Sequence, residues 1–232
     1  LRFIEIGADP ERLAVLGNVK FDVTIDEAVI DVGRTLKRDE FAGRYVWILA
    51  STHQGEEDAL LPVYRQLRSR IPNLLLMIAP RHPERFLTVK KLCEEQALTV
   101  VMRSSGRPIS EAADVYIADS MGELKMLYAA ADVAFVGGSL VPVGGHNLLE
   151  PALVGVPVLF GPEMFNFTEI AERMLAEQAA IQCSGPDAVA DAIEQIANDA
   201  DLRNKMTARA KAFVLRNQGA TRRIVDLLSG AL

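Results

Sequence analysis

Seven short, unbroken apolar runs constrain the fold of this chain most. They are YVWILA (45–50), LLLMIA (74–79), LTVVM (98–102), VYIA (115–118), VAFVG (133–137), VPVLFG (156–161) and AAIQC (179–183). A strand with one wet face alternates apolar and polar residues. These runs do not alternate, which is the pattern of strands buried on both faces, as in a parallel sheet. Between them lie helical patterns. Leu60, Val63, Tyr64, Leu67 and Ile71 follow i, i+3, i+4 spacing, as do Leu124, Leu127, Tyr128 and Ala131. The last fifty or so residues read as wholly helical. Strand–helix alternation with buried strands predicts an α/β fold with a doubly wound parallel sheet. A TIM barrel would need about 250 residues and eight regular units, and the irregular connections oppose it.

Residues 1 to about 40 differ. FIEIGAD and LAVLGNVKFD read as a short helix–strand piece, and the charged, weakly patterned stretch after them as a linker and helix before the sheet proper. The chain opens without methionine, and its first residues carry charges with no sustained apolar core, unlike a signal peptide. No run approaches the ~18 apolar residues of a membrane span.

Composition narrows the function. The net charge of −6 opposes non-specific nucleic-acid binding, which rests on cations neutralising phosphates. It leaves room for a small anion held by local cations. Cys93 and Cys183 form no C-x-x-C pattern, which points to a reducing compartment without a disulfide framework. His53, His82 and His146 show no metal-ligand spacing. The G-x-G-x-x-G and G-x-x-x-x-G-K-[ST] patterns are absent, so hydride transfer and P-loop ATP hydrolysis have no support.

In open α/β sheets ligands bind outside the carboxyl ends of the strands. Four segments there carry chemistry. STHQGEE (51–57) offers Ser51, Thr52 and His53 before a helix opening on acids; it reads either as helix capping or as an anion contact. PRHPERF (80–86) holds Arg81 and His82 between prolines, a stiff loop presenting a cation, or else a surface arginine in a turn. DSMGEL (119–124) places Met121, Gly122 and Glu123 at a helix's first turn, with Asp119 or Ser120 as the plain N-cap alternative. GGSLVPVGGHNLLEP (137–151) contains Gly138, Ser139, His146 and the Asn147–Glu150 pair. The pair reads as a capping box or as a ribose contact, and the Gly137-Gly138 and Gly144-Gly145 pairs as room for a ligand.

Together, GNVKFD, ASTHQGEE, APRHPERF, SMGELKMLYAAADVAFVGGSL and GGHNLLEPALVGVPVLFGP, in that order, resemble the C-terminal half of the 3-deoxy-D-manno-octulosonic acid (Kdo) transferases of lipopolysaccharide synthesis. The resemblance covers the whole chain. It implies a GT-B architecture, two Rossmann-like domains facing a cleft, of which this chain is the C-terminal, donor-binding domain. Residues 1–20 would be the tail of the missing acceptor domain, 21–44 a linker and helix, and 45–232 the Rossmann-like domain.

The implied donor is CMP-Kdo and the implied acceptor a lipid A precursor (lipid IVA), at the cytoplasmic face of the inner membrane, with membrane contact through the missing half. No cofactor, metal or nucleic acid is implied. Carried over by motif, the donor contacts are Pro80 and Arg81; Met121, Gly122 and Glu123; and Asn147, Leu148, Leu149 and Glu150. Ser51, Thr52, His53, His82, Gly138, Ser139 and His146 are further candidates. The resemblance implies that the catalytic base lies in the missing half, so no residue here is nominated and the isolated chain is expected not to transfer sugar. The rival readings are a UDP-sugar GT-B enzyme, either an epimerase or another glycosyltransferase, and a non-catalytic nucleotide-binding domain.

Overall fold

The computed structural model describes residues 2–230. All seven apolar runs form strands: β1 (Tyr45–Thr52), β2 (Leu74–Pro80), β3 (Val100–Met102), β4 (Val115–Ile117), β5 (Val133–Val136), β6 (Val158–Phe160) and β7 (Ile181–Gln182). They make one parallel sheet in the order β3-β4-β2-β1-β5-β6-β7. Strands β2 to β4 lie on one side of β1, with β4 inserted between β2 and the edge strand β3, and β5 to β7 wind outward on the other. The strand order therefore reverses between β1 and β5, and the crevice at their carboxyl ends is where such sheets hold ligands.

The helices among the described residues are α1 (Arg2–Glu5), α2 (Glu27–Asp39), α3 (Glu56–Leu67), α4 (Phe86–Glu95), α5 (Leu124–Ala129), α6 (Leu149–Val154), α7 (Thr168–Ala176), α8 (Pro186–Asn198), α9 (Ala200–Asn217) and α10 (Ala220–Gly230). They cover both faces of the sheet. Trp47 and Leu49 of β1 point to a core shared with α3, α4 and α8, while Val46, Ile48 and Ala50 point to one shared with α2 and α5. Beside β5 and β6 a third cluster joins Phe21 to α6, α7 and α9. Every residue of β2 and β5 is buried, as the unbroken runs require.

The N-terminal region departs from expectation. No strand forms in LAVLGNVKFD; Leu13, Val15 and Val19 are exposed and have no strand edge to pair with. The Leu16 carbonyl instead accepts from Arg223 of α10 at 2.8 Å. The stretch read as a linker and helix does hold a helix, α2, which buries Ile30, Gly33 and Leu36 on one face. Ile30 and Leu36 supply the apolar stripe, and Gly33 between them makes the contact surface. A Cβ there would meet the Met126 carbonyl oxygen at 2.2 Å and the Ala129 Cβ at 2.6 Å, so glycine permits the close approach of α2 to α5. Cys93 and Cys183 are free and buried, and burial pushes both thiols up to about 12. Among the described residues no helix is long and apolar enough to cross a membrane.

Candidate functional site

The site is built at the ends of β1, β2, β4 and β5. At the end of β1 the register with β2 shifts between Ala50 and Thr52, and Ser51 takes a positive φ of 57°. A non-glycine residue held there signals a backbone fixed by its surroundings. The twist leaves Ser51 lining a cleft of about 130 Å³ together with Ala79, Pro80 and Arg81 from β2 and Ser120, Met121 and Gly122 from the loop after β4. Leu124 and Leu127 of α5 close its apolar side. Three of the four segments singled out in the sequence thus converge on one cleft. Arg81 is exposed; its backbone N–H donates to the Thr52 carbonyl at 3.0 Å. Its guanidinium has no hydrogen-bond or ion-pair partner among the described residues. A fixed backbone carrying an uncommitted cation suits an anionic ligand.

The next arginine in the same loop behaves differently. Arg85 donates to both carboxylate oxygens of the fully buried Glu57, at 2.9 and 2.7 Å, and to the Thr52 carbonyl at 3.0 Å. The Thr52 hydroxyl donates to the same carboxylate at 2.5 Å. Thr52 is therefore buried, with its hydroxyl and carbonyl engaged in the framework.

Glu56, also fully buried, settles the loop after β5. Its carboxylate accepts from the backbone N–H groups of His53 (2.9 Å), Gly138 (2.7 Å), Ser139 (3.1 Å) and Leu140 (3.0 Å). Successive N–H groups of this kind form an anion-binding nest, and here the protein's own carboxylate fills it. The Ser139 hydroxyl donates to the Val136 carbonyl at 2.5 Å and accepts from the Gly161 N–H at 2.8 Å. The Ser139 hydroxyl is thus buried and engaged within the fold, as is the Gly138 N–H.

The paired glycines lie close against their neighbours. A Cβ on Gly137 would meet the Ser51 carbonyl oxygen at 2.7 Å and Glu56 Oε2 at 2.8 Å; one on Gly145 would meet Met164 Sδ at 2.2 Å. One on Gly144 would meet Asn166 Nδ2 at 2.4 Å. At Gly137 backbone fills the space, while Gly138 faces the rings of His146 and His53.

Met121 and Gly122 form a bend before α5 rather than its first turn. Gly122 has φ of 82° and open space where a Cβ would point. The Glu123 carboxylate accepts from Arg103 Nε at 2.6 Å and Nη2 at 2.8 Å, and Ser120 also donates to it. The bonds from Arg103 hold its carboxyl below the ordinary range. The Glu123 side chain is thus occupied, leaving backbone groups at this bend. Neither plain capping alternative forms: Asp119 accepts from the Ser104 N–H at 2.8 Å instead.

The capping box is absent too. Asn147 Oδ1 accepts from the Leu149 N–H at 3.0 Å, α6 starts at Leu149, and Leu148 at its cap has no side-chain hydrogen bond. Leu148 and Leu149 are buried in the core beside β5 and β6, so only their backbone could reach a ligand. Glu150 is half-buried with no hydrogen-bond donor among the described residues; burial raises its carboxyl, and Lys125 of α5 opposes that. A half-buried carboxylate without a donor suits a hydroxyl-bearing ligand.

The three histidines also meet at this edge. His53 and His146 approach Nε2 to Nε2 at 2.8 Å, and the exposed His82 lies edge-on to His53 with ring centroids 5.3 Å apart. Burial lowers both His53 and His146, the latter to about 4. No group of three or more His, Cys, Asp or Glu side chains is placed to hold a metal ion among the described residues.

The family model described as "Glycosyl transferases group 1" matches residues 56–213. The 3-deoxy-D-manno-octulosonic acid transferase of Haemophilus influenzae is 40% identical over 231 residues, covering 98% of this chain and 53% of that protein. The enzyme of the same name from Bordetella pertussis is 36% identical, with 98% and 53% covered. This chain therefore spans about half the length of those curated relatives. Among solved structures, the C-terminal CMP-Kdo binding domain of WaaA from Acinetobacter baumannii superposes with a TM-score of 0.78 at 36% identity, over 82% of this chain and 99% of that one.

Proposed function

The chain belongs to the group 1 glycosyl transferases, as the C-terminal GT-B half of a 3-deoxy-D-manno-octulosonic acid transferase, and we propose that it binds CMP-Kdo for transfer of Kdo to a lipid A precursor. The observation that carries this reading is the cleft at the end of β2, where the uncommitted guanidinium of Arg81 meets the open bend at Gly122. A structural relative of this domain is described as binding CMP-Kdo, which supports the donor assignment.

Breaking the bond between sugar and CMP leaves charge on the departing phosphate. A fixed cation at that phosphate lowers the barrier because the charge it meets grows as the bond breaks. In this reading Arg81 supplies that cation. Pro80 and the backbone of Met121–Gly122 shape the nucleotide pocket, and Glu150 accepts from the ribose hydroxyls, with Asn147 holding the start of α6. Ser51, His53, His82 and His146 face the sugar end. The catalytic base and the lipid acceptor site belong to the other half of the protein, which also carries the contact with the cytoplasmic face of the inner membrane; residues 1–20 are the tail of that half. The chain acts without a cofactor or metal.

A transfer assay tests this. Joined to the N-terminal half of the Haemophilus influenzae relative, the chain should transfer Kdo from CMP-Kdo to lipid IVA, and alone it should not. A joined, folded protein without activity, or transfer by the chain alone, would overturn the assignment.

A further inference from the structure

The chain has three histidines, and the fold brings all of them to one place although His53 and His146 stand 93 positions apart. The rings of His53 and His146 lie within 9° of parallel with centroids 5.0 Å apart, while their Nε2 atoms are only 2.8 Å apart. The centroid gap exceeds the nitrogen gap by about a ring's width. The imidazoles therefore meet edge to edge through one hydrogen bond and are not stacked face on face.

A neutral imidazole has one N–H and one lone pair. Two Nε2 atoms facing each other hold one proton between them, so one ring is the Nε2–H tautomer and the other the Nδ1–H tautomer. One added proton goes to the free Nδ1 and leaves the bridge intact. A second would set two N–H groups and two cations against each other and break it. While closed, the pair can take up one proton and no more.

Its surroundings decide when. Arg81 and His82, from the loop after β2, oppose a proton on either ring, and Arg85 opposes one on His53. Glu56 of α3 favours a proton on His53, but its carboxylate already accepts four backbone N–H groups. Burial first, and these cations after it, hold the vacant pair neutral at pH 7. A bound anion beside Arg81 reverses the local field.

We propose that the His53–His146 pair is a proton-linked anion contact: an anionic group of the donor, seated at Arg81, draws one proton from solvent onto the pair, and its departure releases that proton. The proposal rests on the donor-site reading above and assigns that site an anion contact that is charged only when filled.

Labelling the histidines with ¹⁵N gives three imidazoles to follow by NMR across pH, in this chain at its native sequence. The probes are sulfate, the methyl ester of CMP (whose phosphodiester keeps one charge throughout, while its cytosine ring protonates only toward the acid end) and the methyl glycoside of Kdo. At saturation an anion should raise the midpoints of His53 and His146 together, far enough to carry the filled pair's first protonation to pH 7 or above. Between the vacant and the filled midpoints affinity should then fall by up to tenfold per pH unit, and level off above, the signature of one linked proton. A shift with the CMP ester assigns the phosphate, and one with the glycoside alone assigns the carboxylate. A shift with sulfate while neither other probe binds keeps the anion contact but removes the nucleotide reading. Midpoints unmoved by all three probes would overturn the proposal. So would an undiminished pH dependence of affinity in His146→Gln or His53→Gln, whichever retains the native melting transition.

Discussion

Arg81 and Arg85 sit in one proline-framed loop and do opposite work. Arg85 pairs with a carboxylate that has no exposure, and its own side chain is 18% exposed. Removing it leaves Glu57 buried and unpaired, which costs about 3–5 kcal/mol. Urea unfolding of Arg85→Ala should show a loss of that size, and a loss under 1 kcal/mol would refute the framework role. Arg81 has no internal partner, so Arg81→Ala should stay within about 0.5 kcal/mol of the native stability. In the complete transferase the same change should lower kcat/KM by about 2–4 kcal/mol, the scale of losing a donor to a developing anion. Unchanged kcat/KM would remove Arg81 from the reaction. In sequence the two arginines look alike, since residue type and spacing state what a side chain can do but not which carboxylate it will find. Glu56 and Glu57 were masked for a related reason. Acids opening a helix are explained by its dipole, and nothing local reveals that Glu56 instead fills a nest some 80 positions away, at Gly138–Leu140.

That nest makes the β1–α3 and β5–α6 connections one unit. Glu56→Gln keeps the shape but turns an NH₂ or a single carbonyl toward four N–H donors. Hydrogen bonds to a charged group are each worth ~1.5–3 kcal/mol, so the variant should lose at least about 3 kcal/mol. Amide exchange at Gly138, Ser139 and Leu140 should accelerate, and unchanged exchange there would show that Glu56 does not hold the loop.

At the other end of the molecule Asp22 ties the entry of the chain to α10. It accepts from the Gly219 N–H at 2.5 Å, the Thr221 N–H at 2.6 Å and the Thr221 hydroxyl at 2.5 Å, and these bonds hold its carboxyl down at about 2. Asp22→Ala should release the start of α10, read as faster amide exchange from Gly219 to Arg223. The strands were legible because double-sided burial writes an unbroken apolar run. The close α2–α5 contact was not, because it is made by a glycine, and the 13–18 stretch misled because its apolar residues are exposed.

Across the whole molecule, burial holds His53 and His146 neutral in the folded state. Their folded values lie below the unfolded one of about 6.5, so unfolded chains take up protons first as pH falls. The stability this burial contributes is complete above about pH 6.5 and is lost progressively toward about 4, where His146 titrates. The melting temperature should therefore fall between pH 6.5 and 4.5, before most carboxylates protonate, and His146→Gln should flatten that fall. An equal fall in the variant would assign it elsewhere. The sheet order, with its reversal between β1 and β5, brings the loops read from sequence to one edge. What each loop offers the ligand was only partly legible, because loop geometry depends on partners the linear pattern does not name.

We propose that the chain binds CMP as the donor half of the transferase, with Arg81 held against the nucleotide's phosphate. Calorimetric titration of the chain with CMP, UMP, UDP and ADP tests it most directly. The account predicts tightest binding of CMP and at least a tenfold loss of that affinity in Arg81→Ala; preference for UDP, or CMP binding indifferent to Arg81, would contradict it.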